Sequence, residues 1–307
     1  MTDETTTFSR TGRPTVRVVR RYPHPIEKVW RAVTTSEHLG AWFPSPVDID
    51  LRVGGALRFA AFEGDAAATG TVQDVSPPTL LSFTWGGDRL TFELAPDADG
   101  TTFTLTHAFD DTAGAASFAT GWELCLVGLR HELAERPAPS PDRGTARHEQ
   151  LVHEFGLDQP EVTTGADGWA VRYERQLTCP AGVAWDLWFG RDQATGEQRQ
   201  APAVGEALTP YMAPDLVIGV LTEVEPPHRM AFDVTAEGGP GDHVRVELAD
   251  GTGHGARITL TVSGTDPAEV DAARDQWGTG AVGHLARAAA EWATSPERTA
   301  PAPSGRA

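Results

Sequence analysis

Hydrophobic and polar residues alternate along five stretches in the first half of the chain. This alternation predicts β-strands, because successive side chains of a strand point to opposite faces of a sheet. Glycine, proline and aspartate separate the stretches and favour the tight turns of an antiparallel meander. The five predicted strands are Ala56 to Phe62, Gly70 to Val75, Leu80 to Trp85, Arg89 to Leu94 and Thr101 to Phe109.

A helical period follows the last of these strands. Between Ala113 and Arg136, six apolar residues recur at spacings of 4, 3, 1, 3 and 4, which places them on one face of a long helix. Before the strands, the sequence predicts one more strand at Thr15 to Tyr22 and two short helices, at Pro25 to Val33 and Ser36 to Trp42. The six residues of the stripe are Phe118, Trp122, Cys125, Leu126, Leu129 and Leu133.

The apolar face of the sheet and the apolar stripe of the last helix are both too large to remain exposed to water. We therefore predict that the sheet curves around the helix, so that each surface buries the other. The predicted fold class is α+β, of the helix-grip type, in which a curved antiparallel sheet wraps around a long C-terminal helix.

The second half of the chain repeats the pattern of the first. Two segments share a motif that starts with glycine and ends in valine, one other residue and two prolines. They are Gly70 to Pro78 and Gly219 to Pro227, at an offset of 149. Trp122 in the closing helix likewise matches Trp277. Self-similarity of this kind predicts two copies of one structural unit, and hence two tandem helix-grip domains.

Proline-rich segments set the predicted boundaries, because proline cannot continue a helix and is common in linkers. We place the first domain at 14–137 and a divergent second domain at 168–294, joined by a linker at 138–167 that contains a possible short helix. We expect a flexible N-terminus at 1–13 and a disordered tail at 295–307, since both are polar or rich in proline and serine.

Charge and cysteine content restrict the possible partners. The chain carries 25 Lys+Arg against 43 Asp+Glu, a net charge of −18, which disfavours a nucleic-acid partner. No run of apolar residues is long enough for a membrane span or a signal peptide, so we expect a cytoplasmic protein. Cys125 and Cys179 stand alone, and the sequence predicts neither a metal site nor a cofactor.

The order of elements and several short motifs resemble the domain named after the Hsp90 ATPase activator homologue, a member of the START-like, or SRPBCC, superfamily. The resemblance extends from Thr15 to Arg136 and, more loosely, from Trp169 to Ala293. It implies the helix-grip fold but no single activity, since members include apolar-ligand carriers, cyclases and stress proteins. The motifs are Pro25 to Trp30, Glu37 to Phe43, Val53 to Gly55, Val75 to Pro78, Leu105 to His107 and Gly121 to Trp122.

Aromatic residues on the inward faces form a candidate site for an apolar ligand, although the same spacing is typical of a packed core. His107 shares a strand face with Phe103 and Leu105. It is either a polar anchor or acid/base group for a ligand, or a core histidine bound to its neighbours. The candidate ligand-binding residues are Trp30, Trp42, Phe43, Phe59, Trp85, His107, Trp122, Leu126, Trp185, Tyr211, Phe232, Trp277 and His284.

The two closing helices differ in bulk. Alignment of Trp122 with Trp277 pairs Leu126 with Ala281 and Leu129 with His284. Because protein interiors are close-packed, the lost volume predicts a larger cavity in the second domain, with His284 as its polar group. The alternative is a helix that lies closer to its sheet. The segment Gly190 to Gln200 is also polar and has no match to the Leu39 to Phe43 motif.

These patterns favour a non-catalytic protein that holds a small apolar or aromatic molecule between sheet and helix. The sequence lacks a Gly-x-Ser-x-Gly motif and pairs neither cysteine with a neighbouring histidine, so no catalytic residue is predicted. Two alternatives remain open. One is a protein-interaction or chaperone-regulator module of the Hsp90-activator type, and the other is a cyclase- or aromatase-like enzyme that uses the cavity histidine His107.

Overall fold

The computed structural model describes residues 4–62, 68–137, 143–190, 197–210, 213 and 215–295. The chain folds as two compact units, Met1–Gly144 and Thr145–Ala307. Each unit combines one antiparallel sheet with a helical segment at its C-terminal end. The α+β fold class predicted from the sequence is therefore confirmed.

Eight strands of the first unit pair in the order β1-β2-β8-β7-β6-β5-β4-β3, each antiparallel to its neighbours. Consecutive strands therefore lie side by side from the third to the eighth, as the alternating pattern predicts for a meander. The strands are β1 (Thr5–Ser9), β2 (Thr15–Tyr22), β3 (Val47–Ile49), β4 (Ala56–Phe59), β5 (Thr69–Ser76), β6 (Leu80–Trp85), β7 (Asp88–Asp97) and β8 (Gly100–Ala108).

Strand β1 lies within the segment that the sequence predicts to be a flexible N-terminus. Its backbone pairs with β2 along five residues, and the Phe8 ring stacks on Phe109 with a centroid distance of 6.4 Å. Arg130 also forms an ion pair with Glu4 at 2.7 Å. These contacts join residues far apart in the chain, so the local pattern contains no signal for them.

The helices of the first unit are α1 (Ile26–Thr34), α2 (Ser36–Trp42) and α3 (Ala115–Leu133). Trp122, Leu126 and Leu129 on α3 are buried and belong to the face that the sequence pattern predicts. Helix α2 packs closely on α3, because a Cβ atom added to Gly128 would lie 3.3 Å from the Cβ of Trp42. The core of this unit thus lies between its sheet, α2 and α3.

The second unit has a seven-stranded antiparallel sheet in the order β11-β12-β13-β14-β15-β10-β9. Helix α4 and strand β9 lie in the stretch predicted as a linker, where β9 pairs with β10. The elements up to the last strand are α4 (Thr145–Glu154), β9 (Glu161–Gly165), β10 (Gly168–Gln176), α5 (Ala181–Phe189), β11 (Ala207–Leu208), β12 (Gly219–Glu225), β13 (Arg229–Val234), β14 (His243–Asp250) and β15 (Ala256–Gly264).

The closing helical segment of this unit is not a regular α-helix. It runs as α6 (Val270–Ala273), a π-helix (Arg274–Val282) and α7 (Gly283–Thr294). The Tyr173 hydroxyl on β10 donates a hydrogen bond of 2.7 Å to the Arg274 carbonyl. Tyr173 therefore contacts the backbone at the first residue of the π-helix.

Candidate functional site

A pocket of about 450 Å³ lies in the second unit, between α5, the π-helix and the strand ends at β11 and β12. Its walls are mainly apolar and include three aromatic rings. Four lining residues have polar side chains other than the tryptophan N–H groups: Thr209, Glu237, Gln276 and His284. The described lining residues are Leu187, Trp188, Phe189, Leu208, Thr209, Pro210, Leu216, Ile218, Glu237, Gly238, Gln276, Trp277, Gly280, Ala281, His284 and Leu285.

One difference from the first unit contributes to the pocket. The closing helix presents Gly280 and Ala281 toward it, where the first unit has Cys125 and the buried Leu126. Residues 191–196, where a counterpart of α2 would follow α5, lie outside the described residues. The smaller side chains of the closing helix therefore leave space that larger side chains fill in the first unit.

The wall formed by residues 235–241 is held in place by the π-helix and the segment before it. Gln276 Nε2 donates to the Gly238 carbonyl at 2.7 Å, and Trp277 Nε1 donates to the Pro240 carbonyl at 3.0 Å. The Gly241 amide donates to Glu269 Oε2 at 3.0 Å. A Cβ atom at position 238 would overlap the Ile218 carbonyl oxygen, so this wall lies directly against the chain before β12.

The charges around the pocket are unequal. Glu237 is exposed on the wall and His284 is exposed on the closing helix. The described lining contains no lysine or arginine. Arg199 lies outside the lining and donates to the Thr209 hydroxyl at 3.1 Å. The pocket can therefore offer a carboxylate, an imidazole, an amide and apolar walls.

His107 in the first unit is a core residue whose two ring nitrogens both have partners. It is 2% exposed. Trp122 Nε1 donates to its Nδ1 at 3.1 Å, and its Nε2 lies 3.0 Å from Asp88 Oδ2. Because Nδ1 accepts, Nε2 carries the proton and donates to Asp88. This geometry matches the core interpretation and leaves neither ring nitrogen available to a ligand.

The aromatic candidates of the first unit pack on one another. The Phe43 ring lies with centroid distances of 5.9 Å from Phe59, 5.3 Å from Trp85 and 5.5 Å from Trp122. Trp42 is buried and donates from Nε1 to the Ala32 carbonyl at 2.9 Å. Rings at these distances are in direct contact, so these side chains form core rather than an open wall. Trp30 and Leu126 are buried as well.

The second-unit candidates fall into three places. Trp277 and His284 line the pocket, and Phe232 packs behind Trp277 with a centroid distance of 5.8 Å. The Trp185 ring contacts the Phe189 ring at a centroid distance of 5.2 Å, and Trp185 lines a separate pocket. Tyr211 lies outside the described residues. The structure thus brings two of the five together in one lining, and the assignment of either as a ligand contact stays a prediction.

Several lining residues were missed by the sequence analysis. Leu187, Trp188 and Phe189 form a consecutive apolar run at the end of α5, and such a run presents apolar side chains to more than one side of a helix. That run could have indicated a second apolar contact. Glu237 and Gln276 have no comparable signal, because the pairing of a turn with a distant helix determines their position. Within the described part of the chain, no three His, Cys, Asp or Glu side chains are grouped to hold a metal ion.

Residues 23–134, within the first unit, match the family model described as Activator of Hsp90 ATPase homolog 1-like protein. This match confirms the resemblance inferred from the motifs of the first domain. No curated protein matches the chain. None of the helices in the described ranges combines the length and hydrophobicity that a membrane span requires.

Several solved structures are similar to parts of the chain. The crystal structure of CalU16 from Micromonospora echinospora is 22% identical, with a TM-score of 0.40, over 50% of this chain and 95% of that one. EF2215 from Enterococcus faecalis, a conserved protein of unknown function, is 21% identical, with a TM-score of 0.43, over 49% and 90%. The AHSA1-like protein from Aeromonas hydrophila is 21% identical, with a TM-score of 0.34, over 39% and 92%.

Proposed function

We propose that the second unit binds a small apolar or aromatic molecule in the pocket between α5 and the π-helix, without covalent chemistry. The observation that carries this proposal is the pocket itself. Its volume of about 450 Å³ lies within the range of small-molecule sites, which are mostly apolar and contain a few polar groups.

Burial of apolar surface supplies the driving force. Each square ångström removed from water contributes about 25 cal/mol, so a ligand that buries roughly 250 Å² gains about 6 kcal/mol. The wall is held by the protein's own hydrogen bonds, which Gln276 and Trp277 donate to the carbonyls of Gly238 and Pro240. A wall fixed by such internal contacts lowers the entropic cost of binding.

A neutral fluorescent probe tests the proposal directly. N-Phenyl-1-naphthylamine becomes brighter in an apolar environment, and we expect the protein to bind it in the micromolar range. The variant Gly280→Leu should weaken binding at least tenfold, since the nearest atom to an added Cβ is 3.7 Å away and the new side chain can enter the pocket without distorting the helix.

The matched control is Gly121→Leu in α3, where an added Cβ meets nothing within 4 Å. This variant introduces the same leucine at a helix glycine of the first unit and should bind the probe like the original protein. Equal affinity of folded Gly280→Leu and the original protein would contradict the proposal, and so would no probe binding at all. Circular dichroism would establish that each variant is folded.

A second candidate function is a chaperone-regulator module, supported by the family match at residues 23–134. Its test is the ATPase rate of a purified Hsp90 chaperone with and without the protein, together with direct binding by calorimetry. An unchanged rate with no heat of binding would exclude this role. The cyclase alternative receives no support from His107, because Trp122 and Asp88 occupy both of its ring nitrogens.

A further inference from the structure

The pocket in the second unit has a negative but no positive side chain in its described lining. Glu237 supplies a carboxylate, while lysine and arginine are absent from the lining residues that the structure describes. Among the described lining residues, a ligand's carboxylate or phosphate group would find no lysine or arginine to replace its lost water. A ligand with a positive group could instead approach Glu237.

The aromatic walls favour a positive charge as well. Trp188, Phe189 and Trp277 all line the pocket. The face of an aromatic ring is electron-rich and attracts ammonium groups, most strongly in the case of tryptophan. Aromatic rings combined with a carboxylate form the kind of site that recognises alkylated ammonium ions.

The net charge of the whole protein also favours a cationic ligand. With 25 basic and 43 acidic side chains, the chain has a net charge of −18. Such a charge raises the local concentration of cations near the surface and lowers that of anions, most of all at low ionic strength. Cationic ligands would therefore meet the pocket more often than anionic ligands of the same size.

From this combination we infer that the ligand of the pocket is an organic ammonium ion: an apolar or aromatic group carrying a positively charged nitrogen. The apolar part lies between Trp188 and Trp277, and the nitrogen faces Glu237. This inference rests on the proposed function, because it specifies the chemistry of a molecule held in that same pocket. The Gln276 side chain donates a hydrogen bond to the Gly238 carbonyl. In the proposed complex it lies beside the ligand's nitrogen, on the side of the π-helix.

Three naphthalene compounds of similar size and different charge provide the test: 2-naphthylmethylamine, 2-naphthalenemethanol and 2-naphthoate. Isothermal titration at pH 7 and low salt should show the amine binding about tenfold more tightly than the alcohol and the carboxylate binding most weakly. Addition of 0.5 M salt, roughly the concentration at which the Debye length falls to a few ångströms, should reduce the difference between amine and alcohol.

The variant Glu237→Gln should lose the preference for the positive charge and bind the amine and the alcohol equally. Glu161→Gln is the matched control, because Glu161 is an exposed carboxylate on β9, at the opposite sheet edge from the pocket strand β11. It changes the net charge by the same amount and should preserve the preference for the amine.

The outcomes separate the two proposals. If the alcohol binds as tightly as the amine to the original protein, the inference is wrong while the proposed binding function stands. The inference also fails if Glu237→Gln keeps the full preference for the amine. If neither these compounds nor the neutral fluorescent probe binds, the proposed function fails and the inference fails with it.

Discussion

Tyr173 lies so close to Gly278 that a Cβ atom at position 278 would overlap the tyrosine hydroxyl oxygen. Only glycine leaves room for this approach, and the approach lets the hydroxyl reach the Arg274 carbonyl. One strand side chain and one helix glycine thus make a close contact within the π-helical segment that carries Trp277 and Gly280. Because both of these residues line the pocket, we expect its shape to depend on that contact.

Tyr173→Phe should therefore weaken both folding and binding. Loss of one hydrogen bond lowers the free energy of unfolding by about 1 kcal/mol, and a rearranged π-helix should lower probe affinity several-fold. Tyr22→Phe is a suitable control, since the Tyr22 hydroxyl also donates to a helix carbonyl, that of Leu126, at 3.3 Å. The control should lose stability but keep probe affinity. Unchanged binding by Tyr173→Phe would show that the pocket does not depend on this contact.

The Glu149 carboxylate should make stability depend on pH. Burial alone would raise its pKa, but the hydrogen bond from His148 and the ion pair with Arg175, at 2.7 Å, hold the pKa below its usual value. A carboxyl group that is more acidic when folded stabilises the protein above the pKa of the unfolded chain. That stabilisation is lost as the pH falls through the folded pKa.

Glu149→Ala should accordingly lower the free energy of unfolding by about 3 kcal/mol at pH 7, because it leaves the buried Arg175 guanidinium without its ion partner. The difference from the original protein should shrink as the pH falls below 4.5, the ordinary pKa of a glutamate side chain. Urea unfolding at pH 7, 5 and 3.5 measures it. A difference that stays constant over this range would contradict the assignment of the ion pair.

His107→Ala is expected to destabilise the first unit without affecting ligand binding. The substitution leaves the Trp122 N–H and one Asp88 oxygen without their partner and creates a cavity, at a combined cost of about 2–4 kcal/mol. Urea unfolding followed by tryptophan fluorescence measures this loss, and probe titration measures binding. A normal unfolding free energy would refute the core interpretation of His107.

The two cysteines should react slowly with thiol reagents. Burial raises the pKa of both the Cys125 and the Cys179 thiol to about 12, and only the thiolate is reactive. At pH 8 the folded protein should react with Ellman's reagent far more slowly than the protein in guanidinium chloride. Rapid reaction of either thiol in the folded state would contradict its burial.

The sequence allowed accurate prediction wherever local periodicity determines structure. Strand β2, strand β6 and helix α2 begin and end at the residues that the pattern predicts. The sequence pattern did not predict strand β1. This strand is stabilised by pairing with β2 and by the contact between Phe8 and Phe109, which are not local in the sequence.

The candidate site was predictable in part for the same reason. Trp277 and His284 could be inferred because comparison of the two closing helices shows the loss of bulk along one face. Glu237 could not, because it enters the lining only when the 235–241 wall is bound to the π-helix. The hydrogen bond from Tyr173 to the π-helix joins residues about one hundred positions apart, and no pattern within the helix encodes that contact.

The small residues of the second closing helix show how a duplicated domain can acquire a new property by losing side chains. In the first unit, α3 carries Cys125 and the buried Leu126, whereas the matching positions of the second unit are Gly280 and Ala281, which both line the pocket. Such substitutions leave the sheet and its strand order unchanged. Two copies of one domain can therefore share a fold while they differ in the interior space that they offer to a ligand.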